Sequence, residues 1–274
     1  MEASAAARSA DFSTRENAMI GPLFDLTGRV ALVTGGSKGL GKAMARGFAE
    51  AGADLVVASR HDDELKAAAD EIASATGRKV AYLVADLSKR DEARRLAEKS
   101  VAAMGRVDIL VNNAGSNTPQ PIEQLQDDDW DRLVELNLGS CMALARALVG
   151  PMRERRWGRI IQISSVLGLT SAPGRSTYSA TKSGLIGLSR AMANDLGADG
   201  VTVNTIAPGP FLTDLPAGLL TPEQQEIFAR RTILGRWGRP DELIGPALLL
   251  ASDAGSYITG ETIVVDGGLM VKMF

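Results

Sequence analysis

The sequence is poor in the residues that build metal and redox sites. It has one cysteine and one histidine among 274 residues, and aromatic residues make up only 4%. A single cysteine, Cys141, can form neither an intramolecular disulfide nor, alone, a thiolate zinc site, so we expect a reducing compartment and assign no metal. The histidine, His61, has no recognisable acidic partner in the nearby sequence, and we interpret it as an exposed loop residue.

The sequence also lacks a charge excess and a long apolar run. Its 30 Lys and Arg residues stand against 33 Asp and Glu, a net charge of -3, which gives no field that would hold nucleic acid or an anionic membrane surface. No apolar run approaches the ~20 residues of a membrane-spanning helix, and residues 1–20 lack the apolar stretch of a secretory signal. These features predict a cytoplasmic protein whose partner is a small molecule.

Hydrophobic residues at 45% and charged residues at 23% are typical of a globular protein with a sizeable core. We predict one domain at 26–274, preceded by a loosely ordered N-terminal extension at 1–25. The segment 210–238 contains several prolines around a short helical piece at 223–231, and it is a candidate substrate lid.

From Gly28 onward, short runs rich in valine and isoleucine alternate with longer stretches of helical period. The predicted strands lie at 30–34, 54–59, 80–85, 109–112, 160–164, 201–206 and 262–265. The predicted main helices lie at 40–51, 62–76, 89–104, 128–155, 177–196 and 240–250. Most strands are apolar on both sides, which indicates an α/β fold with a parallel sheet covered by helices on both faces.

A glycine-rich turn follows the first predicted strand and leads into a helix. Its sequence is Gly35-Gly36-Ser37-Lys38-Gly39-Leu40-Gly41. Such a turn lets the backbone approach a pyrophosphate, and the helix start directs unpaired N–H groups at it. The spacing differs from the common G-x-G-x-x-G pattern, and tight turns without a ligand also contain glycine clusters, so the turn alone is a weak indication.

The end of the second predicted strand indicates which nucleotide is bound. NAD-binding proteins carry an acidic residue there for the ribose hydroxyls, whereas this sequence has Ser59 followed by Arg60. A hydroxyl and a guanidinium can bind a 2′-phosphate that a carboxylate would repel, and Lys38 could reach the same phosphate. We therefore prefer NADP(H), with NAD(H) possible as a second cofactor. The alternative is that Lys38 and Arg60 are solvated surface cations.

Two further strand ends carry polar residues. Asp86 can accept a hydrogen bond from the adenine amine, or it can cap a helix instead. Asn112-Asn113-Ala114-Gly115 closes the fourth strand, where loops at the carboxyl ends of a parallel sheet meet the ligand.

A possible proton relay follows the fifth strand. Tyr178 and Lys182 share one helix face because they are four residues apart. A phenol is a poor acid–base group near neutrality, and an ammonium a few ångströms away favours its ionised form. Ser165 can hydrogen-bond a substrate oxygen, and Asn137 can hold a water that connects Lys182 to solvent. Each residue alone is more often structural, so the combination with the glycine turn carries the hypothesis.

The residues from about 26 to 268 resemble a short-chain dehydrogenase/reductase. The matching motifs are Thr34-Gly35, Gly39-Leu40-Gly41, Asn112-Asn113-Ala114-Gly115, Asn137, Ser165, Tyr178 with Lys182, and Pro208-Gly209. The resemblance implies a three-layer doubly wound Rossmann fold with a seven-stranded parallel sheet. It also implies an enzyme that moves a hydride between a nicotinamide ring and a secondary alcohol or ketone.

The resemblance also assigns roles. It implies Tyr178 as the acid/base, Lys182 as its modulator and ribose ligand, Ser165 as the group that polarises the carbonyl, and Asn137 as support for the relay. Ile206, Pro208, Gly209 and Thr213 would cradle the nicotinamide, and Thr213 would bond its carboxamide. The residues expected to bind the cofactor are Gly35, Ser37, Lys38, Gly39, Leu40, Gly41, Ser59, Arg60, Asp86, Leu87, Asn113, Ala114, Gly115, Tyr178, Lys182, Pro208, Gly209 and Thr213.

The family resemblance further implies a homotetramer, with interfaces on the helices that carry Asn137 and Tyr178 and on the last strand near 262–268. Within the family, the sequence is nearest to 3-oxoacyl-carrier-protein reductases and to sugar-acid or polyol dehydrogenases such as gluconate 5-dehydrogenase. The specificity is expected to depend on the loops at 116–121, 166–173 and 211–232.

Two charged features bear on the substrate. Docking of an acidic carrier protein would need a basic patch beside the site, and Arg153, Arg155, Arg156 and Arg159 supply part of one, unless they are a solvated helix end. Asp199 stands where carrier-protein reductases tend to have arginine, and an acid there would oppose an acidic carrier. This difference favours a small polar substrate such as a sugar acid or polyol, with a 3-oxoacyl-carrier-protein as the alternative.

Two other functions remain open. A nucleotide-binding regulator would keep the glycine turn and need no relay. An enoyl reductase would use the cofactor on a carbon–carbon double bond, but its tyrosine and lysine usually stand farther apart than four residues.

Overall fold

The computed structural model describes residues 20–213 and 221–273. Seven strands are present in this part of the chain: β1 Val30–Thr34, β2 Asp54–Ser59, β3 Val80–Val84, β4 Ile109–Asn112, β5 Gly158–Ile163, β6 Val201–Pro208 and β7 Thr262–Val265. They form one sheet in the order β3-β2-β1-β4-β5-β6-β7. Every neighbouring pair is parallel.

The helices of the described residues lie before and between these strands. They are α1 Ile20–Leu23, α2 Gly39–Glu50, α3 Asp62–Thr76, α4 Arg90–Met104, α5 Asp127–Val134, α6 Ser140–Glu154, α7 Ser176–Leu196, α8 Pro222–Arg231 and α9 Ile244–Ala251. A π-helical turn, Glu135–Gly139, joins α5 to α6.

Helices cover both faces of the sheet. On one face, α2, α3 and α9 bury apolar side chains that include Phe48, Ile72 and Leu250. On the other face, α4, α6 and α7 form a second core that includes Leu96 and Leu144. The chain therefore has the predicted three-layer doubly wound architecture, and strands buried on both faces explain why the sequence runs are apolar on both sides.

The predicted elements are correct in type, and their ends need small corrections. The third strand ends one residue earlier than predicted, and the fifth begins two residues earlier, at Gly158. The sixth continues to Pro208 because Pro208 still pairs with Val265. The helix predicted at 240–250 begins as a 3-10 turn over Pro240–Leu243. The helix predicted at 128–155 is interrupted by the π-helical turn.

The helix formed by α5, the π-helical turn and α6 is unusually long. The continuous helix Asp127–Glu154 has the length and composition to cross a membrane, but half of its apolar window is buried inside the protein. Its residues Leu144 and Leu148 belong to the core beneath the sheet. Within the described residues, this apolar character is therefore explained by packing between α4, α7 and the sheet.

The topology places two groups of residues at opposite edges of the sheet. Because all strands are parallel, their carboxyl ends meet at one edge, which carries Thr34, Ser59 and Ile163. The amino ends of the same strands meet at the other edge, where Gly158 pairs with Val201. Ligands of open α/β sheets bind at the carboxyl edge.

Candidate active site

The glycine turn is compact and needs glycine at three positions. Gly35 and Gly39 have left-handed backbones with φ of 65° and 56°. A Cβ atom at Gly41 would collide with the carbonyl oxygen of Gly35, which is backbone and cannot move aside cheaply. Lys38 precedes α2 without capping it through its side chain. The first N–H groups of α2 thus have no side-chain cap, as an anion site at a helix start requires.

Thr34 connects this turn to the end of β4. Its hydroxyl donates to Val111 O at 3.2 Å and accepts from the backbone N–H groups of Asn113 and Ala114, both at 3.0 Å. The Asn113 amide in turn donates to Thr34 O at 2.9 Å and to Gly35 O at 3.3 Å. The side chain of Asn113, predicted as a cofactor contact, therefore also holds the glycine turn in shape.

The end of β2 offers groups for a 2′-phosphate. The hydroxyl of Ser59 is buried and has no hydrogen-bond partner in the described residues. Arg60 is exposed beside it and forms no hydrogen bond or salt bridge with any described residue. Lys38 lies 3.5 Å from the carboxylate of Glu64. These groups fit a phosphorylated ribose.

Asp86 forms a turn rather than the cap of α4, whose N-cap residue is Lys89. Its carboxylate accepts from the Ser88 hydroxyl at 2.7 Å and from the Ser88 N–H at 3.1 Å. The Ser88 hydroxyl above all, together with the charges of Lys89 and Arg60, lowers the pKa of Asp86 below its ordinary value. Leu87, also predicted to contact the cofactor, is 4% exposed and packs within the core.

Tyr178 and Lys182 share a face of α7, as predicted. The Lys182 Nζ lies 5.6 Å from the centre of the Tyr178 ring and donates to Ile163 O, the last residue of β5, at 2.8 Å. Lys182 is only 4% exposed, whereas Tyr178 is half-buried. Ser165, two residues after Ile163, accepts from Leu167 N at 3.1 Å and keeps its own proton for a further acceptor.

Two residues that the sequence reasoning missed hold α7 against β5. The Ser164 hydroxyl donates to Lys182 O at 2.8 Å. A Cβ at Gly168 would lie 2.6 Å from Ser164 Oγ and 2.9 Å from Lys182 O, so only glycine allows this approach. The pair of serines after a predicted strand was the available signal, since one side chain of such a pair has to face the neighbouring helix.

Asn137 lies in the π-helical turn and is completely buried. Its amide accepts from Ser116 N at 2.9 Å and donates to Ser116 O at 2.9 Å and to Thr181 Oγ1 at 3.2 Å. Its Oδ1 and Lys182 Nζ lie within 3.1 Å and 3.4 Å of the point where a Gly115 Cβ would sit. The two groups thus face the same small space, and most of the amide is used to hold the loop that starts at Ser116.

Of the residues predicted to cradle the nicotinamide, Thr213 lies close to the glycine turn. Thr213 approaches to 3.3 Å of the position that a Gly39 Cβ would take. Gly209 donates to Val265 O at 2.9 Å, beyond the end of β6. Leu212 donates to Gly238 O and Gly238 donates to Pro210 O, so the predicted lid begins and ends at one place. Residues 214–220 of that lid, with 1–19 of the N-terminal extension, lie outside the described residues.

The other candidate residues occupy structural positions. His61 is exposed and directly precedes α3. Asp127 begins α5, where an acidic side chain complements the helix dipole. Cys141 is buried, and its thiol contacts Asn137 O at 3.5 Å. Burial raises the pKa of the Cys141 thiol to about 11.

The expected basic patch beside the site is wrong. Arg153 pairs with Asp199 at 2.6 Å, and both flank the amino ends of β5 and β6, at the edge opposite Ser165. Arg159 is 3% exposed, stacks on Trp157 with its guanidinium carbon 4.3 Å from the ring centre, and donates to Ser252 O. Because these charges lie far from the catalytic edge, neither the arginines nor Asp199 distinguishes between the two substrate classes.

Comparisons with known proteins agree with this arrangement. A family model described as enoyl-(acyl carrier protein) reductase matches residues 35–270. The 3-oxoacyl-[acyl-carrier-protein] reductase of Chlamydia muridarum is 38% identical over 89% of this chain and 98% of its own length. The gluconate 5-dehydrogenase of Gluconobacter oxydans is 36% identical over 92% and 98%. The chain belongs to the short-chain dehydrogenase/reductase family.

A solved structure supports the same assignment. The gluconate 5-dehydrogenase of Burkholderia cenocepacia, in complex with NADP and tartrate, superposes with a TM-score of 0.87 at 36% identity, over 93% of this chain and all of that one. As a short-chain dehydrogenase/reductase, this chain is an oxidoreductase that acts on CH–OH groups. The names of its relatives divide between acyl thioesters and sugar acids, so they leave the substrate open.

Proposed function

We propose that this short-chain dehydrogenase/reductase uses NADP(H) to interconvert a secondary alcohol and a ketone on a small polar hydroxy acid. The observation that carries the reaction is the position of Lys182, whose buried ammonium lies beside the Tyr178 ring at the carboxyl edge of the sheet. Ser165, the glycine turn and the end of β2 share that edge.

In the proposed reaction, each of these residues has a separate role. When bound, the nicotinamide supplies or accepts the hydride. Tyr178 gives its phenolic proton to the ketone oxygen in reduction and takes it back in oxidation. Lys182 stabilises the phenolate electrostatically, because it is held by Ile163 O and shielded from solvent. Ser165 donates a hydrogen bond to the substrate oxygen and fixes its position.

The cofactor preference follows from the end of β2. Ser59, Arg60 and Lys38 offer a hydroxyl and two cations where an NAD-specific site has a carboxylate. A guanidinium and an ammonium bind a 2′-phosphate through charge-assisted hydrogen bonds. The NADP bound to the Burkholderia enzyme supports the same choice here.

The substrate class follows from Arg175. It directly precedes α7 and lies three residues before Tyr178. It is half-buried, and its guanidinium forms no hydrogen bond or salt bridge with any described residue. The loop at 116–121 is joined to the residue before Arg175, since the Gln120 N–H donates to Gly174 O at 3.0 Å. An uncompensated cation one turn from the acid/base favours a carboxylate on the substrate.

A second candidate, a 3-oxoacyl thioester, is favoured by apolar side chains near the site. Ile122, Leu169 and Leu212 are 67%, 43% and 49% exposed. Ile122 directly follows the loop at 116–121, Leu169 lies in the segment at 166–173, and Leu212 lies at the start of the lid. These are the three parts of the chain expected to contact substrate. An acyl chain would cover these surfaces.

Oxidation of NADPH and NADH, measured with four classes of compound, tests the proposal. The compounds are 5-keto-D-gluconate, a neutral ketose, a 3-oxoacyl thioester and an enoyl thioester, with Tyr178→Phe as the inactive reference. We expect the keto acid and NADPH to give the largest kcat/KM, and the variant to lose about 10²- to 10⁴-fold in kcat. A preference for the oxoacyl thioester would establish the second candidate, and reduction of the enoyl thioester alone would overturn the reaction class.

A further inference from the structure

We propose that the carboxylate of Glu64 competes with the 2′-phosphate of NADP for Lys38, and so moderates the discrimination between NADP and NAD. This inference rests on the proposed function and adds a specificity-determining residue outside the predicted cofactor contacts. A consequence is that, when NAD binds, the charge of Lys38 is already neutralised by Glu64.

The contact that suggests this role joins two elements of the nucleotide site. Lys38 lies in the glycine turn, and Glu64 lies in the first turn of α3, four residues after Arg60. Their Nζ and Oε2 atoms are 3.5 Å apart, and the side chains are 55% and 48% exposed. The carboxylate therefore already occupies part of the space around the cation that a 2′-phosphate would use.

The neighbouring charges make Lys38 the relevant cation. The next cation along α2, Lys42, is paired with Glu71 at 2.6 Å, so it is compensated without Glu64. Arg60 forms no salt bridge with a described residue, and its charge contributes to the lowered pKa of Asp86. A phosphate between Lys38 and Arg60 would carry about two negative charges and would be repelled by the carboxylate next to it.

The two cofactors therefore meet different electrostatics. With NADP, Lys38 has to leave Glu64 or share its charge with both groups, which weakens binding by the free energy of the ion pair and the added repulsion. With NAD, the pair between Lys38 and Glu64 stays intact. Because an exposed ion pair contributes at most about 1 kcal/mol, the effect on affinity is expected to be about fivefold at most.

The experiment measures the dissociation constants of NADP⁺ and NAD⁺ for the full chain by calorimetry, with 2′-AMP and 5′-AMP as probes of the phosphate site alone. Glu64→Gln should bind NADP⁺ and 2′-AMP about two- to fivefold more tightly and leave NAD⁺ and 5′-AMP unchanged. The gain should shrink in 0.5 M salt, because exposed charges are screened there. Asp70→Asn is the matched control, since it removes a similar pair with Lys66 at 2.9 Å on the same helix.

A double-mutant cycle identifies the partner. In a Lys38→Gln background, Glu64→Gln should have less effect than in the wild type, because the competition passes through Lys38. Equal gains for NADP⁺ and NAD⁺, no gain for either, or the same gain from Asp70→Asn would overturn the inference and leave the proposed function standing. A wild-type protein that turns over substrate with NADH and binds no NADP⁺ would instead overturn the proposed cofactor.

Discussion

At the scale of single residues, the ammonium of Lys182 is the feature on which the proposed chemistry depends. It is buried, it is held by one backbone carbonyl, and it lies beside the Tyr178 ring. Arg175, seven residues earlier in the chain, differs in that its side chain has no hydrogen bond or salt bridge among the described residues. One cation is thus held in place by the fold, and we propose that the other binds a ligand.

Replacing Arg175 tests whether it recognises a carboxylate. We expect Arg175→Gln to lower kcat/KM for a keto acid about tenfold or more and to leave the value for a neutral ketose of the same length unchanged. Arg175→Lys should recover part of the loss, because the charge returns without the guanidinium geometry. Steady-state kinetics on the charged and neutral substrates measure this. An equal loss on both substrates would show that Arg175 acts on the fold and not on the substrate.

Cys141 gives a prediction on alkaline stability. Burial raises the pKa of its thiol to about 11, whereas an unfolded cysteine titrates near 8.5. The unfolded state therefore loses its proton first as the pH rises, and stability that is complete below about pH 8.5 declines toward pH 11, by about 3 kcal/mol in all.

Cys141→Ser removes this titration and keeps a donor toward Asn137 O. Urea unfolding at pH 8, 9 and 10 should show a smaller decline for the variant than for the wild type. Parallel curves for the two proteins would mean that the folded thiol titrates like a free one.

Particular residues show what the sequence could reveal at this scale. Tyr178 and Lys182 were predictable because both lie on one helix, where a four-residue spacing fixes their common face. The bond from Lys182 to Ile163 O was not, since it depends on how closely α7 packs against β5. The same holds for Ser164, whose partner lies 18 residues away.

At the scale of elements, the segment after β5 packs closely against α7. Gly168 allows this approach, since any Cβ at this position would meet the carbonyl of Lys182. The long helix that carries Asn137 is also not regular, because a π-helical turn places this residue. The hydrophobic pattern predicted one uninterrupted helix here. A single π-helical turn changes the spacing of apolar residues too little to be detected in that pattern.

Gly168→Ala should therefore lower kcat more than tenfold, because the added methyl group forces α7 and Lys182 away from Ser164. The expected loss of stability is about 1–3 kcal/mol, as for other overpacked positions. Gly197→Ala is the control, since a Cβ there meets nothing within 4 Å and the backbone φ of Gly197 is -58°. Kinetics together with thermal unfolding separate displacement of the relay from loss of the fold. Wild-type kcat in the alanine variant would contradict the assigned close approach.

At the scale of the whole molecule, the sheet separates two kinds of residue. The carboxyl edge carries the relay, and the amino edge carries a buried arginine, its tryptophan and several ion pairs. The hypothesis of a basic patch beside the site, formed by Arg153 to Arg159, failed because it considered only the positions of charges along the chain and not the direction of the strands. Arg159 lies at the start of a strand and Ser165 just after its end, and this order already places them at opposite edges of a parallel sheet.

The assembly is a prediction at this scale. β7 is an edge strand with Val264 41% exposed, and the nearby Val271 is 73% exposed. An open edge with apolar side chains favours pairing with another copy. We expect a homotetramer, as the family resemblance implies, with four times the mass of the chain in light scattering. Val264→Lys should shift the population toward smaller species, and an unchanged monomer for the wild type would contradict the prediction.

Ser164, Ser165, Tyr178 and Lys182 all come from one continuous stretch of 19 residues. It is held by the bond from Ser164 to Lys182 O and by the bond from Lys182 to Ile163 O, which lies just before the stretch. Of the three loops expected to meet the substrate, 166–173 lies inside this stretch, whereas 116–121 and 211–232 lie outside it. These two outer loops can therefore differ among relatives while the proposed reactive unit stays the same. This explains how two relatives that are about equally identical to this chain can bear the names of a carrier-protein reductase and a sugar-acid dehydrogenase. A redesign of substrate specificity should therefore begin with substitutions in these loops.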